Sequence, residues 1–226
     1  KTIKTYAVPK KIGQAKREGQ ILAQLPKEEY TNTAIVLADE TLLQPVLNAI
    51  PEQISQVNIT MGLALKYAPI ASFFDQVFQI HKHEQSDLFY KNVLQICGHP
   101  SFKMAFPTES KMLKNYFVNN HILSISRQDF FEAFKNYSKA FQQTLQLIFS
   151  SLENKPKQLI NNCLELCLLF KEFNQENALQ LQYVYSFHKL FVQLQNLMAL
   201  TDYIETIKAL YAVYKDVLAH QSLDFK

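Results

Sequence analysis

The first 66 residues carry short apolar runs separated by amphipathic stretches, a pattern typical of alternating strands and helices. Residues 2–8 (TIKTYAV) have apolar side chains at positions 3, 6 and 8, which predicts a strand. Residues 34–38 (AIVLA) form a continuous apolar run, as expected of a strand buried on both faces. Residues 57–60 predict a third short strand.

Two helices are predicted between these strands. Residues 11–25 place their apolar side chains on one face, and Pro26 ends the pattern. Residues 41–50 predict a shorter helix. The order strand–helix–strand–helix–strand implies parallel pairing, so we expect an α/β layer with a three-stranded parallel sheet. Because three strands make a small sheet, it is expected to be part of a larger one.

The rest of the chain, residues 67–226, shows the i, i+3, i+4, i+7 spacing of amphipathic helices. One short segment, residues 122–125, is predicted to be extended. The predicted fold class is therefore α/β plus all-α, with a domain boundary near residue 66. The predicted helices are 70–81, 87–97, 111–118, 129–152, one that begins at Pro156, 176–200 and 203–220.

Composition narrows the function classes. Only 4 of the 226 residues are glycine, which argues against a turn-rich all-β fold and against a glycine-rich phosphate loop. No apolar run approaches the roughly 18 residues of a membrane span, and no membrane contact is expected. The chain opens KTIKTY without a starting Met or an apolar leader, so we expect an excised fragment. Three cysteines favour a reducing compartment, hence the cytoplasm.

Positive charge is concentrated at the start of the chain. Residues 1–27 hold seven basic residues and one acid, whereas the whole chain has a net charge of +3. A basic segment of this kind favours contact with phosphates. Lys10, Lys11, Lys16 and Arg17 are the candidate nucleic-acid-binding residues. The alternative is a solvated helix face.

The segment TAIVLADE, residues 33–40, has the form of a Walker B strand with its magnesium-binding and catalytic acids. A Walker B strand needs a phosphate loop of the form G-x-x-x-x-G-K-[ST], and no glycine in this chain is followed by lysine. The favoured interpretation is therefore a buried strand whose acids cap the next helix.

Other patterns that could carry chemistry are each explained by packing or solvation. Cys163 and Cys167 have the i, i+4 spacing of a metal chelate, but both lie on an apolar helix stripe. His81, His83 and His99 are better explained as surface histidines than as a metal trio. The Tyr/Phe stripe over residues 130–141 could stack bases, but at helical spacing it favours a core. No G-x-S-x-G nucleophile elbow is present, and no cofactor or metal is expected.

The order of four segments is more specific than any of these motifs. IKTYAV, Gln14-Ala15, TAIVLADETLLQPVLNAIP and QVNITMG follow one another as in the second motor lobe of superfamily 1 helicases of the UvrD/RecB kind. VLADETLLQPVLNAIP followed by VNITMGLAL resembles more closely the AddB-like subunits of helicase–nucleases, which carry a PD-(D/E)XK nuclease near the C-terminus. APIASFFDQVFQI resembles the helix that enters the inserted 2B subdomain. The resemblance covers residues 1–80 and is only architectural beyond them.

This resemblance implies a partial RecA-like 2A lobe at residues 1–66 and a helical 2B-like inserted subdomain at residues 67–226. Active motors of the family place an arginine just after the strand of motif IV, where this chain has Ala38-Asp39-Glu40. An acid there would repel a triphosphate by roughly 1 kcal/mol or more at an effective dielectric constant of about 20. The resemblance therefore implies a lobe that is retained for structure and DNA handling, without ATP hydrolysis.

We therefore expect a non-catalytic part of a DNA repair and recombination helicase–nuclease subunit, whose parent is an ATP-dependent hydrolase. Its expected partners are single- or double-stranded DNA and a second helicase–nuclease subunit. The alternative is a helical protein-interaction or scaffold module that does not bind nucleic acid. A third class, an enzyme of unknown type, would need a pocket of convergent polar groups, and the sequence nominates no residues for one.

Overall fold

The computed structural model describes residues 3–60, 63–83, 85–175, 177–200 and 203–223. Two compact units are present. Unit 1 comprises Lys1–Ala68 together with Ser222–Lys226, and unit 2 comprises Pro69–Gln221. The chain thus leaves unit 1 once, builds unit 2 and returns to unit 1.

Unit 1 is built on two helices, α1 (Lys11–Ala23) and α2 (Leu43–Leu47), which pack against each other. Short 3-10 turns lie at Lys27–Asn32, Glu40–Leu42 and Leu65–Tyr67. The residues that α1 buries are Ala15, Gly19 and Leu22. These three residues, at i, i+4 and i+7, belong to the predicted apolar face, but Ile12 and Ala23 of that face are exposed. Glycine at the middle position lets α1 approach the turn after α2 closely.

The two chain segments that flank unit 2 pair with each other inside unit 1. Strand β1 (Leu63–Ala64) is antiparallel to strand β4 (Ser222–Leu223), with Ala64 opposite Ser222. Unit 2 is therefore an insertion between two paired strands.

The prediction of a partial RecA-like sheet with three parallel strands is wrong. The described strands form two antiparallel two-stranded sheets, β1 with β4 and β2 (Asp87–Phe89) with β3 (Ser124–Ser126). Residues 3–8, 34–38 and 57–60 belong to no sheet, and residue 2 lies outside the described part. Val36 in the second of these segments is 88% exposed, whereas a parallel strand needs cover on both faces.

Unit 2 is helical apart from the β2–β3 pair in the part that the structure describes. Its helices are α3 (Pro69–Lys82), α4 (Tyr90–Gly98), α5 (Pro100–Ala105), α6 (Pro107–Asn119), α7 (Arg127–Ala133), α8 (Lys139–Phe149), α9 (Pro156–Phe173), α10 (Ala178–Leu200) and α11 (Ile207–His220). Within the described residues, no helix combines the length and apolar composition needed to cross a membrane.

An aromatic core joins α3, α9, α10 and α11. Phe78 of α3 stacks on Tyr214 of α11 with ring centroids 4.4 Å apart. The fully buried phenylalanines of this core are Phe73, Phe74, Phe78, Phe170, Phe187 and Phe191. Each well-oriented ring pair contributes about 0.5–1.5 kcal/mol beyond the burial of its area. These rings fix how the four helices pack.

The single long helix predicted over residues 129–152 is two helices, α7 and α8. The side-chain amide of Gln142 donates to the carbonyl oxygens of Lys135 at 2.8 Å and Tyr137 at 2.7 Å, so these exposed carbonyls are satisfied outside a helix. Ser138 then caps α8, because its Oγ accepts a hydrogen bond from the backbone N–H of Phe141 at 3.3 Å. Both helices bury aromatic side chains, so the apolar pattern continues across the junction between α7 and α8 and does not reveal it.

Pairing between distant segments moves other boundaries. Residues 87–89 belong to β2 rather than to a helix over 87–97, and α4 begins at Tyr90. The predicted extended segment 122–125 is observed as β3, at Ser124–Ser126. Helix α6 begins at Pro107, since proline is well suited to the first helical position. Helix α11 begins after Thr206, which caps it, and predicted residue 176 of α10 lies outside the described part.

Candidate functional site

The four candidate nucleic-acid-binding residues surround α1 rather than forming one strip. Lys10 is the N-cap residue of α1, outside the helix, with a backbone φ of 62°. Arg17 lies in the second turn of α1, on the side away from the buried residues Ala15, Gly19 and Leu22. Lys11 and Lys16 lie on the two flanks of the buried face. Lys10 and Lys16 are exposed, and the described residues include no acidic partner for either. These two lysines are therefore the most accessible cations of the set.

Lys11 contacts the end of the segment TAIVLADE, residues 33–40, which has the form of a Walker B strand. Its Nζ forms an ion pair with Asp39 and donates to Thr41 Oγ1 at 3.1 Å. The hydrogen bond from Lys11, assisted by those from Thr41, lowers the pKa of Asp39 to about 2. Lys11 is therefore less available to a phosphate than Lys10 or Lys16.

Arg17 is held by an aromatic ring and a neighbouring amide. Its Cζ lies 4.4 Å from the centroid of the Tyr6 ring, within the range of a cation–π contact. Its Nη1 donates to Gln20 Oε1 at 3.1 Å. The guanidinium therefore stays at the surface in a restricted position.

Of the two acids of TAIVLADE, Asp39 caps the turn that follows, whereas the predicted strand before it does not form. Asp39 Oδ1 accepts hydrogen bonds from the backbone N–H of Thr41 at 2.9 Å and from its hydroxyl at 2.6 Å. This places Asp39 as the N-cap of the 3-10 turn Glu40–Leu42. Asp39 therefore stabilises the start of this turn.

One serine–histidine contact that no sequence motif indicates lies in unit 2. Ser72 Oγ and His99 Nε2 are 2.9 Å apart. The backbone N–H of Ser101 donates to His99 Nδ1 at 3.2 Å, so His99 caps α5. Because Nδ1 accepts this bond, the imidazole proton lies on Nε2, which donates to Ser72.

This arrangement excludes His99 as the base of a serine nucleophile. A general base must accept the hydroxyl proton, whereas His99 Nε2 donates to Ser72, and the serine hydroxyl donates in turn to the carbonyl of Pro69 at 2.9 Å. Burial lowers the pKa of His99, which keeps the ring neutral. The pair stabilises the start of α5.

Cys163, Cys167 and His81, considered as metal ligands, serve the core instead, whereas His83 is exposed, as the sequence predicts. Cys163 and Cys167 are buried and free, and burial raises the pKa of both thiols, which suppresses the thiolate that binds metals. His81 is buried rather than at the surface, and its Nε2 lies 2.9 Å from the carbonyl oxygen of Ile148. Across the described residues, no three His, Cys, Asp or Glu side chains converge as a metal site.

The aromatic stripe over residues 130–141 is core rather than a base-stacking surface. Phe130, Phe134 and Phe141 are each at most 2% exposed. Phe130 meets Phe134 at 5.3 Å between ring centroids. Stacked bases would need exposed ring faces, so this interpretation is excluded for these three residues.

Among the described residues of unit 2, at least two concave regions are present. A cavity of about 350 Å³ beside β2 is lined in part by Arg127, whose guanidinium donates to the carbonyl oxygens of Gln85, Ser86 and Phe149. Arg127 thereby stabilises the loop before β2. A larger groove of about 590 Å³ runs between α8 and α9.

The α8–α9 groove contains the residues that sequence reasoning missed. Glu165 and Glu172 line it, together with the exposed side chain of Leu168. The sequence does contain a signal for these residues, a second stripe on α9 at positions 158, 162, 165, 169 and 172, beside the stripe that enters the core.

No protein-family model, curated protein or solved structure matches this chain.

Proposed function

We propose that the chain is a non-catalytic DNA-binding part of an AddB-like helicase–nuclease subunit that acts in DNA repair or recombination. It works with DNA and with a partner subunit of that enzyme. A cytoplasmic location fits its three cysteines, which are free rather than joined in disulfides. The proposal does not include a RecA-like sheet.

The insertion topology supports this assignment. Unit 2 lies in sequence between two strands that pair with each other, β1 and β4. A helical subdomain inserted into another domain is what the resemblance over residues 1–80 implies. Active motors of the family place an arginine where this chain has Ala38-Asp39-Glu40. Here Asp39 forms an ion pair with Lys11 instead, which favours a role without a bound triphosphate.

The single observation that carries DNA binding is the exposure of Lys10 and Lys16 without an acidic partner among the described residues. Such lysines can replace the counterions of DNA phosphates, which makes binding independent of sequence and dependent on salt. Arg17 lies on the side of α1 away from its buried residues and would add a further contact with the DNA backbone.

The test compares two double variants that remove the same charge. In Lys10→Ala/Lys16→Ala, binding of a short duplex and of a single strand, measured by fluorescence anisotropy, is expected to weaken. The slope of log K against log salt should fall by about 1.4–1.8, because each phosphate contact contributes about 0.7–0.9. The control, Lys139→Ala/Lys208→Ala, changes two exposed lysines of unit 2 and is expected to retain wild-type binding.

Equal binding by the wild type and the Lys10/Lys16 variant would contradict the proposal, as would equal weakening in both variants. The fourfold variant that adds Lys11→Ala and Arg17→Ala then measures how much these two residues, which also have structural contacts, contribute to DNA binding.

A second candidate function is protein interaction without nucleic acid, favoured by the open α8–α9 groove. It predicts no DNA binding by the wild type at low salt.

A further inference from the structure

Helix α9 has two faces with helical periodicity. One face enters the core of unit 2 through Cys163, Cys167 and Phe170. The opposite face lines the α8–α9 groove, where Asn162, Glu165, Leu169 and Glu172 follow one another at intervals of three or four residues. The facing side of α8 contributes Gln143 and Leu147, and Ser150, the C-cap residue of α8, follows them. Stripes with this spacing on two neighbouring helices match the ridges of a third helix laid between them.

The groove exposes apolar surface that is normally covered. Leu168 is 52% exposed and Phe173 is 39% exposed, although both side chains are large and apolar. Leu147 and Leu169 also line the groove and are half-buried. Exposed apolar side chains that cluster in one concave region are the usual mark of a binding surface.

The charges of the lining are of one sign. Glu165 and Glu172 are its only charged residues, and no ion-pair partner for either is found in the described part of the chain. They are separated by two helical turns, roughly 10 Å along the axis of α9. The cations of these helices, Lys139, Lys157 and Lys171, are not among the lining residues. A ligand that fits the groove therefore carries cations at the same interval.

We propose that the α8–α9 groove binds a basic amphipathic helix of a partner protein. The apolar stripe of that helix lies on Leu168 and Phe173. Two cations on the flank of the stripe, seven residues apart, meet Glu165 and Glu172. A two-fold contact between copies of this chain would bring the same carboxylates together, which opposes self-association through this groove. The surface is distinct from the basic residues of α1, so the two proposals fail independently.

The test uses the full chain and two designed helical peptides of equal length. Both carry leucines at positions i, i+3, i+4 and i+7 of an alanine-rich helix. One peptide has lysines two turns apart on the flank of the stripe, and the other has glutamates at the same positions. The wild-type chain is expected to bind the lysine peptide at least tenfold more tightly than the glutamate peptide, as measured by fluorescence anisotropy.

Charge reversal supplies the matched variants. Glu165→Lys/Glu172→Lys is expected to invert the preference, so that the glutamate peptide binds at least tenfold more tightly. The control Glu109→Lys/Glu205→Lys makes the same charge change at acids outside the groove and is expected to keep the wild-type preference. Equal binding of both peptides, or a preference that the groove variant leaves unchanged, would overturn the proposal. So would sedimentation showing that the chain self-associates and that Glu165→Lys/Glu172→Lys abolishes it, since the occupant would then be a second copy.

Discussion

A Cβ atom on Gly19 would lie 2.2 Å from the carbonyl oxygen of Ala49, so the backbone of α1 touches the turn after α2. A backbone carbonyl cannot rotate away as a flexible side chain can. Gly19→Ala is therefore expected to push α1 away from α2 and to lower the free energy of unfolding of unit 1 by about 1–3 kcal/mol. Hydrogen exchange of the α1 amides measures this loss.

The control for Gly19 is Gly98→Ala. Gly98 lies at the end of α4, where no atom is found within 4 Å of a built Cβ. Alanine favours a helix over glycine by up to about 1 kcal/mol, so this variant should be neutral or slightly stabilising. If the α1 amides are as well protected from hydrogen exchange in Gly19→Ala as in the wild type, the close contact does not control the packing of unit 1.

Two tyrosines one turn apart on α11 are expected to respond with opposite sign to loss of the hydroxyl. Tyr211 donates to Asp75 Oδ1 at 2.8 Å and accepts from Gln79 at 2.8 Å. Tyr214 is fully buried, and its hydroxyl has no partner among the described residues. Tyr211→Phe should lower the free energy of unfolding by about 1 kcal/mol, and Tyr214→Phe should raise it by a similar amount. Urea denaturation of both variants checks this, and the same sign for both would contradict it.

The neutral cap formed by His99 predicts a pH dependence of stability. Burial lowers the pKa of His99 below its ordinary value of 6.5, so the folded state holds the proton less tightly than the unfolded state. The contribution of the cap is complete above pH 6.5 and decreases as pH falls from 6.5 towards the folded-state pKa. His99→Asn keeps a capping side chain without a titrating ring. The free energy of unfolding of this variant, measured from pH 7.5 to 4.5, should fall less than that of the wild type.

The ion pair between Lys11 and Asp39 predicts a shift that can be measured at one carboxylate. In the wild type the pKa of Asp39 is about 2, and the hydrogen bond from Lys11 is its largest cause. Lys11→Met should raise this pKa towards the ordinary value of 3.8, but not fully, because both hydrogen bonds from Thr41 remain. The stabilising contribution of the carboxylate is present above pH 3.8 and decreases as pH falls towards 2. An NMR titration of the Asp39 side chain that shows no change in the variant would contradict this assignment.

Helix faces could be predicted from the sequence because their signal is local. The burial of Ala15 and Leu22 in α1 follows from spacing alone, and so does the core stripe of α9. The strands predicted in the first 66 residues were wrong, because an apolar run such as AIVLA indicates a tendency to be buried but does not show which segment would cover it. Val36 is exposed, whereas the segment Ser124–Ser126 pairs with residues 35 to 39 positions earlier in the chain.

The sites follow the same rule. Asp39 as a cap was predictable, because its partner Thr41 is two residues away. The Ser72–His99 contact joins residues 27 positions apart and needs the packing of α3 near the start of α5, which no local pattern encodes. The spacing of Glu165 and Glu172 is visible in the sequence. The groove that they line forms only when α8 packs beside α9, so it could not be predicted from that spacing.

The pairing of Ala64 with Ser222 also has a consequence for cooperativity. Were unit 2 an unfolded loop, closing it to form a ribbon of two residues per strand would oppose pairing by (3/2)RT ln n, which is about 4–5 kcal/mol for a loop of this length. So short a ribbon contributes too few hydrogen bonds to offset that entropy. A folded insertion holds its own ends in place, so its folding lowers the entropic barrier to closing the ribbon. Melting of unit 2 would then open the β1–β4 pair of unit 1 through chain connectivity alone.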